Sequence, residues 1–111
     1  MIGMKRLLAG VLLLSAAPAV QAANTGPGLV TNLYVQNGVV IFQVSGNVTG
    51  SWPACAVTQR YAIEVTSAAG QAYYSAVLSA KMAGKPILVY GNGSCTNWGD
   101  SESINYVQIV P

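Results

Sequence analysis

The sequence predicts a mainly β domain: a small barrel of five short strands, with one helix between the third and the fourth. Three observations lead there. Beyond residue 22, apolar and polar residues alternate over short runs broken by Gly, Pro and Asn, which is the period-two pattern of half-buried strands. One segment alone, Tyr73 to Ala83, carries helical spacing. The domain is also small, roughly 88 residues, and short strands that must bury one face and hide their edges tend to close on themselves.

Residues 1–22 read as a secretory signal peptide. Lys5 and Arg6 form its positive start, Leu7 to Ala17 is an almost unbroken apolar run, and Val20-Gln21-Ala22 puts small residues at the −3 and −1 positions of a cleavage site. The mature chain is then expected to begin at Ala23 or Asn24, as a single domain over residues 23–111. The apolar run is short for a membrane span and no second one follows. The expected destination is release, into the periplasm or outside the cell.

Asn24 to Gly28 reads as a loose, small-residue lead-in. Val30 to Gln36 and Val39 to Ser45 are two strands around Asn37-Gly38. Asn-Gly between β-branched runs marks a type I′ hairpin, because both central residues must adopt positive φ. Such a turn pairs Val35 with Val40, Leu33 with Phe42 and Thr31 with Val44, so that Leu33, Val35, Val40, Phe42 and Val44 share the core face. The second face is mixed (Tyr34, Val39 and Ile41 among Asn32, Gln36 and Gln43) and is expected to meet solvent or a partner. Gly46 to Ala54 reads as a loop holding an Asn47-Val48-Thr49 glycosylation pattern. Thr58 to Val65 is the third strand, with Tyr61, Ile63 and Val65 alternating against Arg60, Ala62 and Glu64.

Ser67 to Gln71 reads as a turn. In the helix that follows, Tyr74, Val77, Leu78 and Met82 fall on one face, Gly84 is a stop, and Pro86 prevents continuation. Ser75, Ser79 and Lys81 form a solvated face. Pro86 to Tyr90 is the fourth strand, Gly91 to Ser94 a turn, Thr96 to Ser101 a loop, and Ser103 to Val110 the last strand. Three strands, a helix and two strands suit an OB-like barrel.

Cys55 and Cys95 are the two cysteines. In an exported chain an even count reads as a disulfide, and two residues allow one intramolecular pairing. The bond would tie the start of the third strand to the loop before the last.

The charges narrow the function. The formal +2 of the chain comes from Lys5 and Arg6; after residue 22, Arg60, Lys81 and Lys85 balance Glu64, Asp100 and Glu102. A neutral domain has no electrostatic footprint for nucleic acid or an anionic membrane. The chain has no histidine, which removes Ser-His-Asp and Cys-His catalysis and the commonest metal ligand. No phosphate-cradling glycine pattern occurs. Asp100 and Glu102 formally offer a hydrolase pair but read as solvated loop charges. The expectation is therefore a non-enzyme with no cofactor and no metal.

Binding residues are sought among the aromatics. Trp52 and Trp98 each sit in a polar, glycine-containing loop three residues from a cysteine, and a disulfide would bring these loops together. Two indoles beside Asn97, Asp100 and Ser101 have the composition of a sugar site: flat apolar faces for stacking and polar groups for hydroxyls. The competing reading packs both indoles over the disulfide as an end cap.

Several segments also resemble a family. Cys55-Ala56-Val57, the strand Arg60 to Val65, the helix ending in Gly84-Lys85-Pro86, Ile87 to Tyr90, Gly93-Ser94-Cys95 and the acidic turn Asp100-Ser101-Glu102 occur here in the order and spacing found in small secreted bacterial proteins. Those proteins remotely resemble the B subunits of subtilase-cytotoxin-type AB5 toxins. The resemblance implies an OB-like fold and, for the toxin subunits, a glycan-binding ring pentamer carrying a catalytic A subunit. The reading that combines these signals is a secreted, non-catalytic module binding a glycan or a protein surface. The alternative is a structural or assembly subunit acting through self-association as a homo-oligomer, on the strength of zero net charge and the part-apolar second face of the hairpin. A remote third reading is a small carboxylate-dependent hydrolase.

Overall fold

In the computed structural model, which describes residues 21–111, Asn37 and Gly38 take φ of 51° and 76°, the two positive values that a type I′ turn requires. The turn joins β2 (Val30–Gln36) to β3 (Val39–Val44). Val35 pairs with Val40 and Leu33 with Phe42, as the sequence predicts, but Val44 pairs with Val30 in place of Thr31. A bulge between Val30 and Leu33 makes the difference; the extra residue reverses the facing of the strand beyond it and turns Val30 into the core, where it is buried. The leader expected over residues 1–22 lies, apart from Gln21 and Ala22, outside the described residues.

The lead-in is not loose. Ala23–Gly28 forms β1, and Val48–Gly50, inside the expected loop, forms β4. The two pair antiparallel, Ala23 with Gly50 and Thr25 with Val48, so each small-residue segment supplies the ladder partner that the other needs. Asn47 of the glycosylation pattern therefore directly precedes an exposed strand that holds Val48 and Thr49. The other strands are β5 (Tyr61–Glu64), β6 (Ile87–Gly91) and β7 (Glu102–Ile109).

The strands lie in the order β2-β3-β5-β7-β6-β1-β4. All pairs are antiparallel except β5 with β7. The arrangement is mainly β with one helix, as expected, but it is a seven-stranded open sheet and not the closed five-stranded barrel. The count rises because β1 and β4 form from segments expected only to connect. β1 runs into β2 through Leu29 alone, and Ser45 to Asn47 carry β3 into β4.

The helix α1 spans Ala68–Ala83 and so absorbs most of the expected turn. Ser67 caps it: its hydroxyl accepts from the Gly70 amide at 3.0 Å. Gly84 ends it in the left-handed conformation, φ 66°. Its inward residues are Gly70, Val77 and Ala80, with Tyr73 and Tyr74 half-buried beside them. Leu78 and Met82 are exposed, against expectation, Met82 at 78%. Residues 70, 73, 77 and 80 form one i, i+3, i+7, i+10 stripe, whereas Met82 lies almost half a turn from it; Gly70 lets this stripe approach β5, since a Cβ there would collide with the Glu64 carbonyl oxygen.

This stripe packs on a core of Val40, Phe42, Tyr61, Ile63, Ile87 and Val89. A second, smaller cluster of Val39, Ile41 and Ala62 lies on the other side of β3 and β5, with Trp98 packed against it. The β3 part of the hairpin's second face is thus covered from within the chain, while Tyr34 on β2 stays exposed. Among the described residues no helix is long and apolar enough to cross a membrane.

Candidate functional site

Two loops flank β5 in space, residues 51–60 before it and residues 92–101 before β7. Cys55 and Cys95 are bonded, with Cα atoms 6.2 Å apart. Asp100 adds further ties. Its carbonyl accepts from the Thr58 hydroxyl at 2.7 Å and its carboxylate accepts from Arg60 Nη2 at 3.1 Å. The Ser101 hydroxyl also donates to that carboxylate, at 2.9 Å. Ser101 is fully buried. Arg60 lies over the Tyr34 ring, 5.7 Å from its centroid, and donates to the Tyr34 hydroxyl. The Arg60–Asp100 pair is the ion pair found among the described residues. Part-exposed and tied to neutral neighbours, it holds loop geometry more than it adds stability.

The disulfide joins the loops without bringing the indoles together. Trp52 packs on Tyr61, with ring centroids 4.9 Å apart, and joins the larger core. Trp98 packs on the Val39, Ile41 and Ala62 cluster. Tyr61 and Ala62 are consecutive residues of a strand and so project to opposite faces. The two tryptophans accordingly cover opposite faces of the sheet.

Asn97, in a bend of the loop, is directed away from its neighbour Trp98. Asn97 lines a shallow pocket of about 150 Å³ shared with Glu64, Ser67, Gly70, Tyr73 and Ile104, at the start of α1. The Asn97 amide is oriented by bonds on either side: its Nδ2 donates to the Ala62 carbonyl at 3.4 Å and its backbone N–H to Ser103 Oγ at 3.3 Å. Tyr73 is fixed by donation from its hydroxyl to the Asn105 carbonyl, 3.0 Å. Glu64 accepts from the Thr66 amide at 2.9 Å. The pocket thus gathers a carboxylate, an amide, a hydroxyl and one aromatic ring within a small concave space. Tyr73 and Glu64 carry no signal in the sequence that marks them as its walls, because the pocket depends on where the helix begins.

The two carboxylates near β7 behave differently. Asp100 is turned to Arg60. Glu102 is fully buried, not a solvated loop charge. Its Oε1 accepts from the Ala23 amide at 3.2 Å and its Oε2 from the Gly93 amide at 2.8 Å. Room for the carboxylate exists because residue 91 is glycine: a Cβ there would collide with both carboxylate oxygens. Burial pushes the Glu102 carboxyl above the ordinary carboxylate value, opposed by the Gly93 and Ala23 amides. Beside it, Tyr61 donates to the Ala23 carbonyl at 3.0 Å and lies 2.7 Å from Thr25 Oγ1. Burial raises the Tyr61 hydroxyl to about 12, the Thr25 bond opposing and the Glu102 charge reinforcing that shift.

No group of three or more His, Cys, Asp or Glu lies together among the described residues. Comparison with protein-family models, with curated proteins and with solved structures found no match to this chain.

Proposed function

We propose that this chain is an exported, non-catalytic binding module, and that its ligand is a glycan held at the pocket between Asn97 and the start of α1. The observation that carries the reading is the content of that pocket: one aromatic ring, one amide, one carboxylate and one hydroxyl around about 150 Å³. A sugar ring offers an apolar C–H face for the ring of Tyr73 and hydroxyls that both donate to Glu64 and accept from Asn97. In this reading Asn97 contacts ligand directly, while Asp100 and Ser101 hold its loop and Trp52 and Trp98 fix the two sheet faces that support it. Export is supported by the leader pattern and by the Cys55–Cys95 bond. An OB-like relationship is part of the same proposal; its support is the order of hairpin, third strand, helix and two strands, with β5 and β7 parallel.

The assembly reading rests on Tyr34, Val39 and Ile41. Val39 and Ile41 are 7% and 0% exposed, whereas Tyr34 is 39% exposed, so of these three residues Tyr34 alone offers a partner apolar surface.

The test is a glycan array probed with the oxidised protein, followed by titration of each hit against Asn97→Ala and Tyr73→Ala. A sugar whose affinity falls at least tenfold in both variants, with their unfolding midpoints near the parent's, supports the site. Silence across the array, or hits that neither variant weakens, sinks it.

A further inference from the structure

Glu102 is a buried carboxylate that has no cationic partner among the described residues: Arg60 is paired with Asp100, and the Lys81 ammonium donates to the Val30 carbonyl. Its carboxylate is instead met by two neutral amides, those of Gly93 and Ala23. Burying a charge without a counter-charge is costly, and proteins rarely leave one so. The Ala23 nitrogen is also one of the two positions where the leader pattern expects the mature chain to start.

We propose that Glu102 is a built receptor for the α-ammonium created when the leader is cut between Ala22 and Ala23. The proposal rests on the signal-peptide reading, and it decides between the two starts which that reading leaves open. Hydrolysis of the Ala22–Ala23 bond consumes one water. The hydroxyl goes to the Ala22 carbonyl carbon and a proton goes to the departing nitrogen, which binds a second proton from solvent at neutral pH. The nitrogen that lies 3.2 Å from Oε1 as an amide then carries a full positive charge in the same place.

The surroundings hold Ala23 from both ends. Its nitrogen faces Glu102 and its carbonyl accepts from the buried Tyr61 hydroxyl. Its side chain is fully buried and it pairs with Gly50 of β4. A chain beginning at Asn24 would lose all of this, leaving Glu102 in the interior with the Gly93 amide alone. In the cut chain the new terminus is the first residue of β1. An uncut chain places an amide there and lacks the charge.

The experiment has two parts. The first is intact mass and N-terminal sequencing of the protein exported from cells expressing the full chain: Ala23 is expected, and a start at Asn24 or at any other residue overturns the proposal. The second is urea unfolding of the exported protein and of a form with one glycine inserted between Ala22 and Ala23, its start verified by mass. Both forms are made in the parent and in the Glu102→Gln background. The insertion keeps an amide at Ala23 but moves the ammonium away. With Glu102 present, it should lower the folding equilibrium constant at least tenfold. In the Glu102→Gln background the ammonium has no charge to meet, and the two starts should agree within twofold. Equal losses in both backgrounds overturn the proposal. Should Glu102→Gln not fold, the α-ammonium of the exported protein is titrated by NMR. A value at least one unit above the ordinary range of about 7.7–8.0 is expected, and a value inside that range overturns the assignment.

Discussion

Removing the disulfide is the sharpest test of how the loop cluster is held. Cys55 and Cys95 are separated by 40 residues, and the chain-entropy relation values closure of such a loop at about 4 kcal/mol. A domain of this size is expected to be stable by about 5–13 kcal/mol in all, so the bond accounts for a third or more of the total. Cys55 is exposed and Cys95 half-buried, so replacing both by Ser removes little packing. The loops keep their other ties, Thr58 and Arg60 on Asp100, which leaves the native geometry in place and confines the loss to the unfolded state. Urea unfolding followed by tryptophan fluorescence reads this directly. The expected outcome for Cys55→Ser/Cys95→Ser is a cooperative transition with the midpoint lowered by about 4 kcal/mol divided by the urea m-value, roughly 1.3–4 M. A loss of about 1 kcal/mol or less would refute the reasoning, since loop closure would then contribute little.

Two further outcomes follow from the packing. Trp98→Ala should cost about 2 kcal/mol, about half the range for a fully buried aromatic, because the indole is half-buried over Val39, Ile41 and Ala62. It should also promote self-association, read by sedimentation, while leaving affinity at the Asn97 pocket within threefold, since that pocket opens on the other face. Tyr61→Phe should cost about 1–3 kcal/mol, because buried Thr25 loses its hydroxyl partner and the Ala23 carbonyl a donor. The Tyr61 hydroxyl is raised to about 12 from an ordinary 10, so its contribution is intact below pH 10 and is lost as pH climbs through about 12. The stability gap between the parent and Tyr61→Phe should therefore close over that window in alkaline denaturation; a gap constant to pH 12 would rule this out.

Much of the architecture could be read from local chemistry. The Asn37-Gly38 hairpin, the Gly84 helix stop and the Cys55–Cys95 bond each rest on a rule that acts within a few residues or leaves one choice. β1 and β4 were invisible because their residues, Asn24-Thr25-Gly26-Pro27 and Val48-Thr49-Gly50, have no strand pattern of their own; each is a strand through its partner's hydrogen bonds. Regular period-two alternation would put Ile104 and Val107 of the last strand on opposite faces. A bulge opposite Tyr90 and Gly91 lets Ile104 and Val107, three residues apart, both join the core. At the candidate site, Asn97, Asp100 and Ser101 were legible as a polar loop beside a cysteine. The separation of Trp52 from Trp98 was not, because it depends on Tyr61 and Ala62 facing opposite ways once β5 is buried on both sides.

The distribution of charge bears on the proposed binding reading. Of the six charged residues after residue 22, Arg60 and Asp100 neutralise each other, and Glu102 is enclosed. Lys81 is engaged with the Val30 carbonyl and Glu64 is partly occupied by the Thr66 amide. Lys85 stands exposed just past the end of the helix, away from the Asn97 pocket. Among the described residues no cluster of one sign remains to steer an anionic or cationic partner from a distance. In the proposed binding reading, recognition rests on short-range contacts at the Asn97 pocket: the Tyr73 ring, the Asn97 amide, the Ser67 hydroxyl and the Glu64 carboxylate. On the proposed glycan reading, this absence of a long-range charge footprint is matched by a neutral, polyhydroxylated ligand.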